Sequence, residues 1–123
     1  MAIRVLLVRF KIPGIHFECL GSGNQLWDSK VHRIVARKLA SFSMPGPMEW
    51  FDVESTWHLA GPKGKSRRDV DNLRIKPVLD AVTSAQKIWR DDCFPPVRRV
   101  NRRGVLAPDK ASQHVVIRIF GEP

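Results

Sequence analysis

Phe51-Asp52-Val53-Glu54-Ser55-Thr56-Trp57-His58-Leu59 alternates residue by residue. Phe51, Val53, Ser55, Trp57 and Leu59 share one side of an extended chain, and Asp52, Glu54, Thr56 and His58 share the other, because successive strand side chains point to opposite faces. The stretch predicts a half-buried strand, and so a sheet with one face against a core. Helical spacing flanks it on both sides. Upstream, Trp27, Val31, Ile34, Val35, Leu39 and Phe42 mark an apolar helix face, with Asp28 or Ser29 as cap and Lys30, Arg33 and Arg37 on the opposite face. Ser43-Met44-Pro45-Gly46-Pro47 ends that helix. Downstream, Val78, Leu79, Val82 and Ala85 mark the inner face of a second helix, from about Leu73 to Gln86. Ile3 to Lys11, Val97 to Val100 and His114 to Phe120 read as further strands, the last two separated by a turn region from Gly104 to Ser112. The order β-α-β-α-β-β describes an α+β domain, a mixed β-sheet with two main helices packed on it.

The chain has 123 residues and a mass of 14.0 kDa, which suits one domain over residues 1–123. Hydrophobic residues at 43% and charged residues at 27% exclude a disordered tail. The longest apolar run, Val5 to Val8, is far short of the ~20 residues that span a bilayer. Met1-Ala2-Ile3-Arg4 lacks the features of a signal peptide. Cys19 and Cys93 stand in neither metal-binding nor CxxC spacing, so a reduced, cytoplasmic compartment is expected. No membrane partner and no small-molecule cofactor are expected.

Charge gives the first functional direction. Twenty-one Lys and Arg face twelve Asp and Glu, for a net +9 and a pI near 10.4. The excess is uneven: residues 1–60 hold seven basic and five acidic residues, and 61–123 hold fourteen and seven. A polyanion, most simply nucleic acid, is the partner such a surface suits.

Five of the eight aspartates nevertheless fall between residues 69 and 92: Asp69, Asp71, Asp80, Asp91 and Asp92. Carboxylates weaken polyanion binding unless a cation offsets them. A divalent ion such as Mg²⁺, with Mn²⁺ as a substitute, takes carboxylate, water and phosphate oxygens together and resolves the conflict. In an extended segment Asp69 and Asp71 point the same way and can share one ion, while Asp91 or Asp92 would join from across the fold. A solvated loop salt-bridged to Arg67, Arg68 and Arg90 fits the spacing equally well. Pro77 cannot donate a helical hydrogen bond, so the helix starts shortly before it or is distorted there, and Asp69 and Asp71 precede the helix.

Arg67-Arg68-Asp69-Val70-Asp71-Asn72-Leu73, Lys76-Pro77-Val78-Leu79-Asp80-Ala81-Val82 and Trp89-Arg90-Asp91-Asp92 together resemble the RusA family, the Holliday junction resolvases of bacteria and their phages. The resemblance covers about thirty residues closely and the basic β-α-β lead-in loosely. It implies a RusA-like fold and a Mg²⁺-dependent crossover-junction endodeoxyribonuclease. Asp69, Asp71 and Asp92 would be metal ligands, Lys76 the catalytic lysine, and Arg68 a contact to DNA phosphate. It also implies a homodimer with two active sites on one basic face, acting on branched DNA. Two departures stand out. Arg74 and Ile75 both intervene before Lys76 where the family has one residue, and Cys93-Phe94-Pro95-Pro96-Val97 replaces the usual start of the next strand.

Lys63, Lys65, Arg67, Arg68, Arg98, Arg99, Arg102 and Arg103 are the candidates for positioning the DNA backbone. The rival reading is a catalytically impaired structured-DNA-binding protein of the same family. A nucleotide-sugar transferase using D-x-D fits the motif but not the charge. His16, His32, His58 and His114 are scattered without zinc-ligand spacing, and Cys93 has no nearby histidine to activate it. Trp27, Trp50, Trp57 and Trp89 are assigned to the core, and Asp80 to an ion pair with Lys76 one turn earlier. Apolar strand faces around Val5, Leu7, Val115 and Ile117 are candidates for the dimer interface, with core packing as the alternative.

Overall fold

The alternating stretch forms β2 (Trp50–Ala60), and it lies inside the sheet. The computed structural model describes residues 3–13, 25–60, 75–92 and 95–123. Along the chain they form β1 (Val5–Pro13), α1 (Gln25–Leu39), β2, α2 (Lys76–Ala85), β3 (Val97–Ala107), a short 3-10 turn (Lys110–Ser112) and β4 (His114–Glu122). The four strands make one mixed sheet in the order β1-β4-β2-β3. β4 pairs antiparallel with both β1 and β2, while β2 and β3 are parallel. A parallel pair needs a crossover connection, and α2 lies within it. The architecture is thus the expected α+β one.

Both helices cover the same sheet face. Val31, Val35 and Leu39 recur every fourth residue along α1 and are fully buried, as are Val78 and Val82 of α2. They meet Phe10, Ile12, Val53, Trp57, Val115, Ile117 and Ile119 from the sheet in one core. Burying side chains of this size contributes about 1.5–3 kcal/mol each. Trp57, fully buried, has its indole N–H satisfied by Ser55 Oγ at 2.9 Å, and that hydroxyl donates to the Asn101 carbonyl at 3.0 Å. No helix among the described residues is long and apolar enough to cross a membrane.

Several local expectations need correction. β1 runs from Val5 to Pro13 rather than from Ile3 to Lys11. α1 begins at Gln25, so Asp28 lies in its first turn instead of capping it, and Phe42 lies beyond its end. The region from Gly104 to Ser112 is not all turn, because β3 continues to Ala107. Gly104 sits in that strand opposite Trp57. Continued pairing with β2 outweighs the local turn signal of a glycine. Val115 and Ile117 are fully buried in the core, so they cannot also form a dimer interface. Pro77 falls within the first two positions of α2, with Ile75 at the cap, which is where a proline costs no hydrogen bond.

Candidate active site and nucleic-acid interface

Lys76 opens α2, and Asp92 comes back to it. At the other end of the helix Gln86 adopts a left-handed conformation (φ 53°), which reverses the chain. Its side-chain amide donates to the Thr83 carbonyl at 2.7 Å and to the Arg90 carbonyl at 3.2 Å, pinning the returning segment. Trp89 anchors that segment: it is buried, its indole N–H donates to Thr83 Oγ1 at 2.7 Å, and its ring meets Phe51 edge-on at 5.7 Å. Ten helical residues rise about 15 Å, and the seven from Gln86 to Asp92 span more than 20 Å when extended, at about 3.3–3.6 Å per residue. The return to the first turn of α2 is therefore within reach.

There the Lys76 ammonium donates to Asp92 Oδ2 at 2.8 Å and lies 3.1 Å from Asp80 Oδ1 one turn on. The Lys76 side chain is 63% exposed and that of Asp92 only 13%, so the carboxylate is the fixed member of the pair. Asp91 faces solvent. Hydrogen bonds to Asp92 first and Asp80 second raise the pKa of Lys76 above its ordinary value. Lys76 is accordingly a cation at neutral pH and not a base. The intrahelical ion pair expected for Asp80 is present.

The remaining residues of the motif, Arg67, Arg68, Asp69, Asp71 and the preceding Lys63 and Lys65, lie outside the described residues, as do His16, Cys19 and Cys93. Among the described residues no three His, Cys, Asp or Glu side chains converge as a metal site. Asp92 and, on the same lysine, Asp80 are hard carboxylate donors of the type Mg²⁺ takes, and Asp69 and Asp71 belong to the stretch outside the described residues.

The four arginines of β3 do not share one surface. The register of β2 against β3 shifts between Phe51 and Asp52, so Arg98 is the additional residue on β3. Its guanidinium turns onto Asp52, with Nε at 3.2 Å from Oδ1 and Nη2 at 3.0 Å from Oδ2, and also donates to Glu122 at 2.9 Å. These bonds raise its pKa further. Arg98 thus serves as the counter-ion of a buried carboxylate, which sets it apart from the expected phosphate contacts. Asp52, on the polar face of the alternating strand, is only 3% exposed. Arg99 and Arg103 are exposed and pair in register with Asp52 and Thr56, which places them on the face away from the helices. Arg102 pairs with Ser55 and belongs to the opposite face.

Arg4 and Arg118 extend the same network on the uncovered face. Arg4 pairs with Glu54 and lies 3.6 Å from Asp52, Arg118 bonds Glu54 at 3.0 Å, and Phe120 carries the Arg4 guanidinium 3.8 Å above its ring. Within this network three arginines face three carboxylates and offset them, while Arg99 and Arg103 on the same face are exposed. Trp50 completes it, with Arg98 5.8 Å from its ring.

One pair escaped the sequence reading. His58 and His114 are register partners on β2 and β4, and their rings stack at 4.2 Å and 10°. His114 Nδ1 donates to the Ser112 carbonyl at 2.7 Å, since a carbonyl only accepts. Parallel rings cannot both aim in-plane lone pairs at one ion, so the pair is no metal site. Burial, followed by His114, Lys11 and Arg103, pushes the pKa of His58 down. The only sequence signal was a histidine on a polar strand position in each of two strands. No family model matches the chain, and no curated protein matches it.

Proposed function

We propose that this protein is a metal-dependent endodeoxyribonuclease of the RusA type, which binds four-way junction DNA and resolves it by paired symmetric nicks. The observation that carries the reading is the Lys76–Asp92 contact at 2.8 Å, joining the lysine and the last aspartate of the motif across sixteen residues. The net charge of +9 suits a DNA substrate. Asp92, with Asp69 and Asp71, would hold Mg²⁺ or Mn²⁺. Such an ion supplies Lewis-acid stabilisation of the attacked phosphate and an activated water. The chain's own part is electrostatic. Lys76, a cation at neutral pH, would neutralise charge developing on the phosphate. Arg99 and Arg103, with the basic stretch Lys63, Lys65, Arg67 and Arg68, would hold the backbone without reading sequence.

Two symmetric cuts call for two sites, and a twofold homodimer supplies them economically. A second reading, a junction-binding protein that does not cut, draws on the same lysine. Lys76 already sits between Asp80 and Asp92, and their negative charge opposes the approach of a phosphate to it. Incubating a synthetic four-way junction with the protein and Mg²⁺ tests the proposal. Symmetric nicks support the nuclease, and tight binding without cleavage supports the second reading.

A further inference from the structure

The face of α1 turned away from the core borders a groove of about 760 Å³ against the end of β1. Lys30, Arg33, Arg37 and Lys38 line it from the helix and Lys11 from the strand. Its two remaining lining residues, Pro13 and Ile34, are apolar, and no carboxylate lines it among the described residues. Several described cations elsewhere are compensated by carboxylates. Arg4, Arg98 and Arg118 face Asp52, Glu54 and Glu122, and Lys76 faces Asp80 and Asp92. Five cations thus line one groove beside α1, in the half of the sequence that carries the smaller share of the excess.

We infer that this groove is a docking surface for the phosphodiester backbone of a nucleic acid, with one strand running along α1. Spacing and charge both fit. Lys30, Arg33 and Arg37 stand three and four residues apart, which aligns them on one helix face. From Lys30 to Arg37 the helix rises about 10.5 Å, a length over which one strand of a duplex presents about three phosphates. Arg33, Arg37 and Lys38 are exposed, so their heads reach a ligand without desolvation of the core. A lipid surface fits less well. Val31, Val35 and Leu39, the apolar side chains a membrane-surface helix would insert, are fully buried against the sheet.

This inference rests on the nucleic-acid part of the proposed function and not on catalysis. Its test is therefore run in EDTA, where no cleavage occurs. Fluorescence anisotropy across a salt series measures the affinity of a labelled four-way junction for the wild type and for the triple variant Arg33→Gln, Arg37→Gln, Lys38→Gln. Glutamine favours helix, and circular dichroism verifies the fold. The slope of log K against log salt should flatten by about 2 to 3, at about 0.9 per phosphate, with at least a tenfold loss of affinity at the low-salt end. The single charge reversal Arg37→Glu should weaken binding as well. An unchanged slope in both variants overturns the inference, even if the wild type cuts junctions in Mg²⁺. So does loss of binding to phosphatidylserine vesicles with DNA affinity retained, which would assign the groove to a membrane. Conversely, a flattened slope in a protein that never cuts upholds the groove and removes the nuclease.

Discussion

The Lys76 ammonium donates a 2.8 Å hydrogen bond to Asp92 Oδ2 across sixteen residues of chain, fastening the start of α2 to the segment that returns from its far end. Asp80, on the same lysine at 3.1 Å, is 49% exposed where Asp92 is 13%. The two carboxylates therefore separate by substitution. Asp92→Asn should reduce junction cleavage at least a hundredfold while leaving binding intact or tighter, because it removes a ligand charge and lowers repulsion of phosphate. Asp80→Asn loses only an exposed helical pair, worth about 0.3–0.5 kcal/mol, and should keep most activity. Single-turnover nicking together with anisotropy measures both. Near-wild-type cutting by Asp92→Asn would remove Asp92 from the site.

Gly104 offers a test of the longer β3. It lies within the strand opposite Trp57, and a Cβ added there would meet nothing within 4 Å. Gly104→Ala should raise stability by about 0.5–1 kcal/mol, the backbone-entropy cost of a glycine inside a regular element. Urea unfolding measures it. A loss of stability would instead return the residue to a turn.

Arg98 and Arg99 are neighbours with different work. Arg98→Ala leaves the Asp52 carboxylate, 3% exposed, with only the longer Arg4 contact at 3.6 Å, and should lower the urea midpoint. Arg99 is exposed, so Arg99→Ala should leave the midpoint in place and flatten the salt dependence of DNA binding by about 0.9. Equal effects of the two on stability would contradict the assigned roles.

How far the sequence was legible follows from what each signal depends on. Phe51 to Leu59 announced its strand because alternation is a local property, whereas Pro77 signalled only a later start or a distortion of α2, which begins at Lys76 rather than about Leu73. The continuation of β3 past Gly104 was hidden, since it depends on a partner strand about fifty residues earlier. Arg98 was hidden for the same reason: a register shift re-aims it, and no count of basic residues records that. The His58–His114 stack needs the β2–β4 register. Of the candidate site, Lys76 and Asp92 are brought together, whereas Asp69 and Asp71 lie outside the described residues.

The His58–His114 stack gives stability a pH dependence of known sign. The pKa of His58 is depressed in the fold, by burial first and then by His114, Lys11 and Arg103. The unfolded chain takes up that proton near pH 6.5, while the folded protein resists it to lower pH. Stability should then fall as pH drops from neutrality through 6.5 toward the folded pKa, and rise again on returning. His58→Gln removes this contribution. Thermal melting between about pH 7.5 and 5 should show a smaller loss of Tm for the variant. Parallel Tm curves would contradict it.

Metal-dependent cleavage of a four-way junction tests the central claim most directly. A synthetic junction labelled on each strand in turn is incubated with the protein in Mg²⁺, in Mn²⁺ and in EDTA, and the products are sized. The account predicts paired nicks at symmetric positions in two opposing strands, present with either metal, absent in EDTA, and lost in Asp92→Asn. Folded protein that binds the junction yet leaves every strand whole in both metals would contradict it.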